Sequence, residues 1–194
     1  MDGRVARGNR NRQAVVDATL ALVAEGQSFP TAQAIATRAG VAPRSVFHHF
    51  PDLDALFAEA ADTQARRHWS VLQPPAPDQP LADRLAAAVT QRADLYERIS
   101  AIRRVAVRHE HDWPVAARRL RESRSALRRH LRAAMSPEIR GVDRASAAAL
   151  EAAGSWETWE VLRRHQALSV AAATAAVTAL LTSTLERALA VPSP

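Results

Sequence analysis

Residues 31–50, TAQAIATRAGVAPRSVFHHF, gather the side chains best suited to chemistry, and that chemistry is contact with a polyanion. Arg44 carries the planar fork that pairs with guanine O6 and N7 together. His48 follows one helical turn later on the same face and is a candidate for base or phosphate contact. Ser45 and His49 can bond phosphates and set register, which positions a protein without specifying sequence. Thr31, Ala32 and Gln33 open an earlier helix whose first amides and positive dipole end suit a phosphate. Gln33 is also long enough to reach a base. Pro43 and Phe47 complete the candidate contact set, with Phe47 also readable as a core residue flanking Val46 and Phe50.

Catalysis finds no comparable grouping. The chain contains no Gly-rich phosphate loop, no GxSxG and no HExxH, and no nucleophile stands at a readable spacing from a base. His109-Glu110-His111-Asp112 invites a metal reading. Residues two apart on a helix point to opposite sides, however, so the run reads as a polar helix end. No catalytic residue, metal site or cofactor is therefore expected, and the sequence does not predict an enzyme.

The elements that must hold the contact residues follow from local rules. Thr31 is a good N-cap, and Ala34, Ile35 and Ala39 recur at helical spacing. Gly40 supplies a left-handed residue to end that helix. Pro43 suits the first turn of the next, where its missing N–H costs nothing. Val46 and Phe50, four apart, point inward. This predicts two helices, 32–39 and 43–49, joined as a helix-turn-helix whose second helix enters the major groove. A first helix at about 10–25 buries Val15, Ala18, Leu22 and Val23, preceded by a polar arm bearing Arg4, Arg7, Arg10 and Arg12. Arms of this composition can enter a flanking minor groove. Asp52 caps a fourth helix that continues through Leu56, Phe57 and Ala60 to about Gln73.

Three stretches together resemble the TetR/AcrR family of bacterial transcriptional regulators: RNRQAVVDATLALVAEG from Arg10, Phe29 with its Pro30-Thr31 entry, and the run from Gly40 through Phe57. The resemblance covers the first quarter to third of the chain. It implies an N-terminal DNA-binding head, an effector pocket within the C-terminal helices, and pairing of the last two helices with those of a second subunit. Two positions depart from the family's pattern. Phe47 stands where a Tyr usually gives its hydroxyl to phosphate, and Leu53 where a Lys is common.

Composition agrees with an all-α chain of low aromatic content, rich in Ala, Leu and Arg. There is no cysteine, so neither a disulfide nor a thiolate zinc site can form. No apolar run reaches the roughly 20 residues needed to span a bilayer, and no signal-peptide stretch opens the chain. A soluble, cytoplasmic protein without membrane contact is expected. All 26 basic residues are arginine. Residues 1–50 hold six arginines against three acids, and residues 81–135 hold thirteen against six. A basic head suits a DNA reader, because neutralised phosphates release counterions.

PPAPDQP, Pro74 to Pro80, cannot be helical and marks a boundary. The expected domains are 1–51 (arm and DNA-binding head), 52–73 (connecting helix) and 81–194 (ligand binding and dimerisation). Helices are predicted at 81–109, 114–134, 143–165 and 169–190. The last is apolar round much of its circumference, through Val170, Ala173, Val177, Leu180, Thr184 and Ala188 and through Leu181, Leu185 and Leu189. It is either central to one chain's core or an association surface. A two-fold dimer is what one helix-turn-helix per chain needs to read half-sites about 34–36 Å apart. Tyr96, Ile99, Trp113, Leu127, Trp156 and Trp159 are candidate lining residues for a small-molecule pocket, although large rings can equally fill a core. Arg103, Arg104 and Arg108 would point to an anionic ligand if buried and to a solvated face if not.

The sequence thus predicts a homodimeric regulator on a palindromic double-stranded DNA operator, a repressor released by a small-molecule effector. A ligand-independent or activating regulator of the same fold, and a non-specific nucleic-acid binder using Arg121, Arg124 and Arg128, are the alternatives.

Overall fold

A computed structural model describes residues 3–73 and 75–190, and among these every regular element is helical. The elements are α1 (Gly3–Ala24), α2 (Ala32–Ala39), α3 (Pro43–His49), α4 (Leu53–His68), α5 (Leu81–Arg108), α6 (Pro114–Ala134), α7 (Arg144–Ala153), α8 (Trp156–Glu160) and α9 (Val170–Ala190). They fall into two compact units. One holds the chain up to His68 together with Arg98–Glu122, and the other holds Trp69–Glu97 and the chain from Ser123 onward.

In the first unit, α1 packs on α2 and α4, and α2 on α3. Val15, Val16, Leu22, Ile35, Val46, Phe50, Leu56 and Phe57 form its buried core, joined by Ile102 and Val105 of α5. Each of these larger side chains contributes about 1.5–3 kcal/mol by leaving water. Leu53 packs against the same core, so its departure from a lysine serves the interior of the head. Exposed ion pairs bridge α1 to α4 (Arg12–Glu59, 3.1 Å; Arg67–Asp17, 2.6 Å) and add little beyond orientation. The start of α6 belongs here too. Asp54 of α4 accepts from the amides of Val115 and Ala116, and Arg119 meets Asp62 at 2.8 Å. Phe29 stacks on Phe57 (centroids 5.1 Å apart) and contacts Trp113, which in turn stacks on His109 at 4.2 Å.

The second unit is held by polar ties as well as apolar packing. Arg84 of α5, 2% exposed, pairs with Glu138 and donates to the carbonyls of Gln79, Ala134 and Ser136. Glu97 accepts from the Trp159 indole (3.0 Å) and from both arms of Arg163 (2.9 and 3.0 Å), fixing α8 and the following turn to α5. α9 packs on α7 through a face that includes Ala173, Val177, Leu181 and Leu185, while Val170, Leu180 and Leu189 stay exposed.

Three sequence expectations change. The predicted arm is helical from Gly3 and continues through Gly8 without a break; the side chain of Arg4 lies outside the described residues. α4 stops at His68 and tightens into a 3₁₀ turn over Trp69–Val71 before Gln73. Pro74 lies outside the described residues, and 75–80 is non-helical as its prolines require. The single helix expected over 143–165 is interrupted at Gly154-Ser155. Ser155 caps α8 by accepting from Thr158 N, and a π-turn over Val161–His165 follows it.

Candidate nucleic-acid interface

Thr31 accepts the amide of Ala34 at 3.2 Å, fixing the start of α2. Gly40 ends it at φ +67°, with its N–H returned to the carbonyls of Ala36 and Thr37. Pro43 then stands in the first turn of α3, and Phe50 closes that helix in extended conformation. Val46 (1% exposed) and Phe50 (3%) anchor α3 to the core. That anchoring leaves the opposite face in solvent.

On that face Arg44 is exposed, with no ion pair or side-chain hydrogen bond among the described residues. His48 is exposed and its ring lies 5.2 Å from that of half-buried His49. Ser45 is half-buried. Phe47 does not join the core; it is 52% exposed, because the inward positions are already taken by Val46 and Phe50. On α2, Ala32 is half-buried and Gln33 is exposed, its amide donating to Thr37 Oγ1 at 3.4 Å along the helix. Asp52 caps α4 by accepting from Ala55 N at 2.7 Å.

Helix α1 brings a residue that local sequence could not place. The Arg12 guanidinium lies over the Phe50 ring, 4.8 Å from its centroid, and pairs with Glu59. Burial, with the neighbouring His48 and Arg12, holds the His49 imidazole below its ordinary 6.5. Its neutral form is therefore favoured.

Of the candidate pocket residues, Ile99 and Trp113 belong to the first unit, and Tyr96, Leu127, Trp156 and Trp159 to the second. Trp113 is half-buried in the ring stack on Phe29, and the other five are buried. Tyr96 donates its hydroxyl to the Gly154 carbonyl at 2.9 Å, and its ring lies 6.2 Å from that of Trp159. Arg103 is buried, Arg104 half-buried and Arg108 exposed. Sequence reasoning missed Arg84 and Arg92, both buried; an arginine on an apolar stripe of α5 was the available signal. Among the described residues no His, Asp, Glu or Cys group is placed to hold a metal, and no helix is long and apolar enough to cross a membrane.

A short capped helix, a tight glycine turn and a second helix with an exposed polar face define a helix-turn-helix DNA-binding protein with an all-α body. Residues 15–60 match the family of bacterial regulatory proteins named after tetR. That match runs from α1 into α4 and makes the helix-turn-helix region TetR-like. Solved structures share its fold. A transcriptional regulator from Rhodococcus sp. Rha1 superposes with a TM-score of 0.69 at 22% identity, covering 95% of this chain and 99% of its own. A protein from Mesorhizobium loti MAFF303099 assigned to the TetR family gives 0.60 at 16% identity, over 93% and 98%. A regulator from Streptomyces coelicolor A3(2) gives 0.58 at 23%, over 89% and 99%. No curated protein matches the chain.

Proposed function

We propose that this chain is a TetR-family transcriptional regulator, a homodimeric repressor that binds a palindromic operator and leaves it when a small molecule occupies its C-terminal helices. The observation that carries the DNA half of this reading is the outward face of α3, where Arg44 and His48 lie exposed beside Phe47 on a helix anchored by Val46 and Phe50. Arg44 and His48 address bases, and Ser45, His49 and the start of α2 (Thr31, Ala32, Gln33) address phosphates. Phe47 lies against the sugar–phosphate edge without a hydroxyl to offer it.

Residues 1–51 act as the DNA-binding domain, 52–73 as the connecting segment built on α4, and 81–194 as the effector and dimer domain. Support for the dimer is the exposed apolar side of α9: Leu180 is 44% and Leu189 48% exposed on a helix whose other side is already packed. Effector binding would re-space the two heads through α4, a shift between DNA-competent and ligand-bound populations. The test is titration of candidate small molecules onto the DNA-bound dimer, followed by fluorescence anisotropy. Release at unchanged dimer mass supports the reading, and tighter binding on ligand addition makes the protein an activator or co-repressed regulator instead.

A further inference from the structure

Resting on that effector reading, we propose that the effector is a carboxylate-bearing small molecule, and that Arg92 of α5 receives its carboxylate beside Tyr96 and His130 in the second unit. Arg92 is 3% exposed, yet no carboxylate lies within ion-pairing distance of it among the described residues. Its Nε donates to the Gly154 carbonyl (3.1 Å) and its Nη1 to that of Leu127 (3.1 Å), with His130 Nδ1 at 3.3 Å. The Tyr96 hydroxyl also bonds the guanidinium, so the partners Arg92 has in the fold are neutral groups. A guanidinium takes a carboxylate bidentately through two nitrogens of one edge, so a ligand would displace one of these neutral acceptors. Arg84, two turns earlier on α5 and equally buried, shows the contrast: it has Glu138. A buried charge left without its counter-charge is costly, and a ligand can supply what the chain withholds.

The neighbours suit an anion. The Arg92 guanidinium lies 5.8 Å from the Tyr96 ring centroid. His130 presents Nδ1 to Arg92, so that atom accepts, and Nε2–H points to Gln73 O (3.3 Å) and Gln91 Oε1 (3.2 Å). This requires a neutral ring, and burial with the adjacent Arg92 charge holds the His130 pKa below its ordinary value. Of the groups facing His130 (Arg92 and Gln91 from α5, Gln73 from the segment after α4), Arg92 alone is charged. A bound carboxylate would neutralise Arg92 and draw its Nη1–H away from His130 Nδ1, which is then free to take a proton, so binding takes up a proton. The same histidine and Gln91 hold Gln73, whose N–H reaches Gln91 Oε1 at 2.9 Å. Occupancy would thus be felt at the segment that leads from α4.

The experiment measures thermal shifts of the full chain with benzoate, phenylacetate, octanoate and decanoate, each against its primary amide. The proposal expects at least one acid to raise Tm where its amide does not. Apparent affinity should fall by up to about tenfold per pH unit between the free and bound His130 pKa values. Arg92→Gln should abolish the acid-specific shift. His130→Gln, which keeps Arg92, should preserve binding but flatten its pH dependence, and it serves if Arg92→Gln does not fold. Equal shifts from acid and amide, or no shift from any acid of the panel, overturn the proposal. Acids that bind without altering DNA binding leave the anion site standing and sink the effector reading. Amides that release DNA while acids are inert do the reverse.

Discussion

Arg44 and Phe47 stand three residues apart on α3, and both face solvent for the same reason: Val46 and Phe50 occupy the inward positions. Arg44 can therefore give its whole fork to a base pair. Arg44→Ala should weaken operator binding by about 1–3 kcal/mol and relax preference at one base per half-site. A uniform loss across unrelated sequences, measured by competition binding, would make Arg44 a phosphate contact. Phe47 presents an apolar edge where a hydroxyl would be useful. Phe47→Tyr should tighten binding by about 0.5–1.5 kcal/mol with an unchanged melting temperature, since the ring tip is already in water. Weaker binding by this variant would place the ring in an apolar contact with the DNA.

At the scale of elements, what was legible depended on how local the cause was. The caps at Thr31 and Asp52, the left-handed Gly40 and the apolar spacing of Val46 and Phe50 act within one turn, so α2 and α3 fall where sequence reading puts them. The break at Gly154 was not legible because its cause is remote. Its carbonyl is claimed by Arg92 and Tyr96, and a Cβ there would meet Leu131 Cδ2 at 2.6 Å. The outward turn of Phe47 was likewise decided by which positions the core had room for, which spacing alone leaves ambiguous. Sequence alone places Arg12 in a polar arm, because its partners, Phe50 and Glu59, lie far along the chain. Gly154→Ala tests the remote cause: overpacking against fully buried Leu131 should cost about 1–3 kcal/mol in chemical denaturation. An unchanged midpoint would show that the α7–α8 junction tolerates a continuous helix.

For the whole molecule, two imidazoles are pushed toward the neutral form by burial and neighbouring positive charge, His49 in the first unit and His130 in the second. Both have folded-state pKa values below 6.5, so acid favours the unfolded chain, which takes up protons first. Stability should be complete above about pH 6.5 and fall as pH drops from there toward the depressed folded values. His130→Gln should flatten part of that slope in urea titrations at stepped pH; a slope unchanged by the variant would assign the acid sensitivity elsewhere. Net charge, +6 here, gives salt-dependent affinity for any duplex but no sequence preference, which the proposed reading places on the α3 face.

The central claim, that this face reads sequence, is tested most directly by selecting bound duplexes from a random-sequence pool with the purified protein at physiological salt. The account predicts a short palindrome whose half-site loses one specified base with Arg44→Ala. Recovery of no motif, with binding that only fades as salt rises, would contradict it and leave a basic protein that holds DNA without reading it.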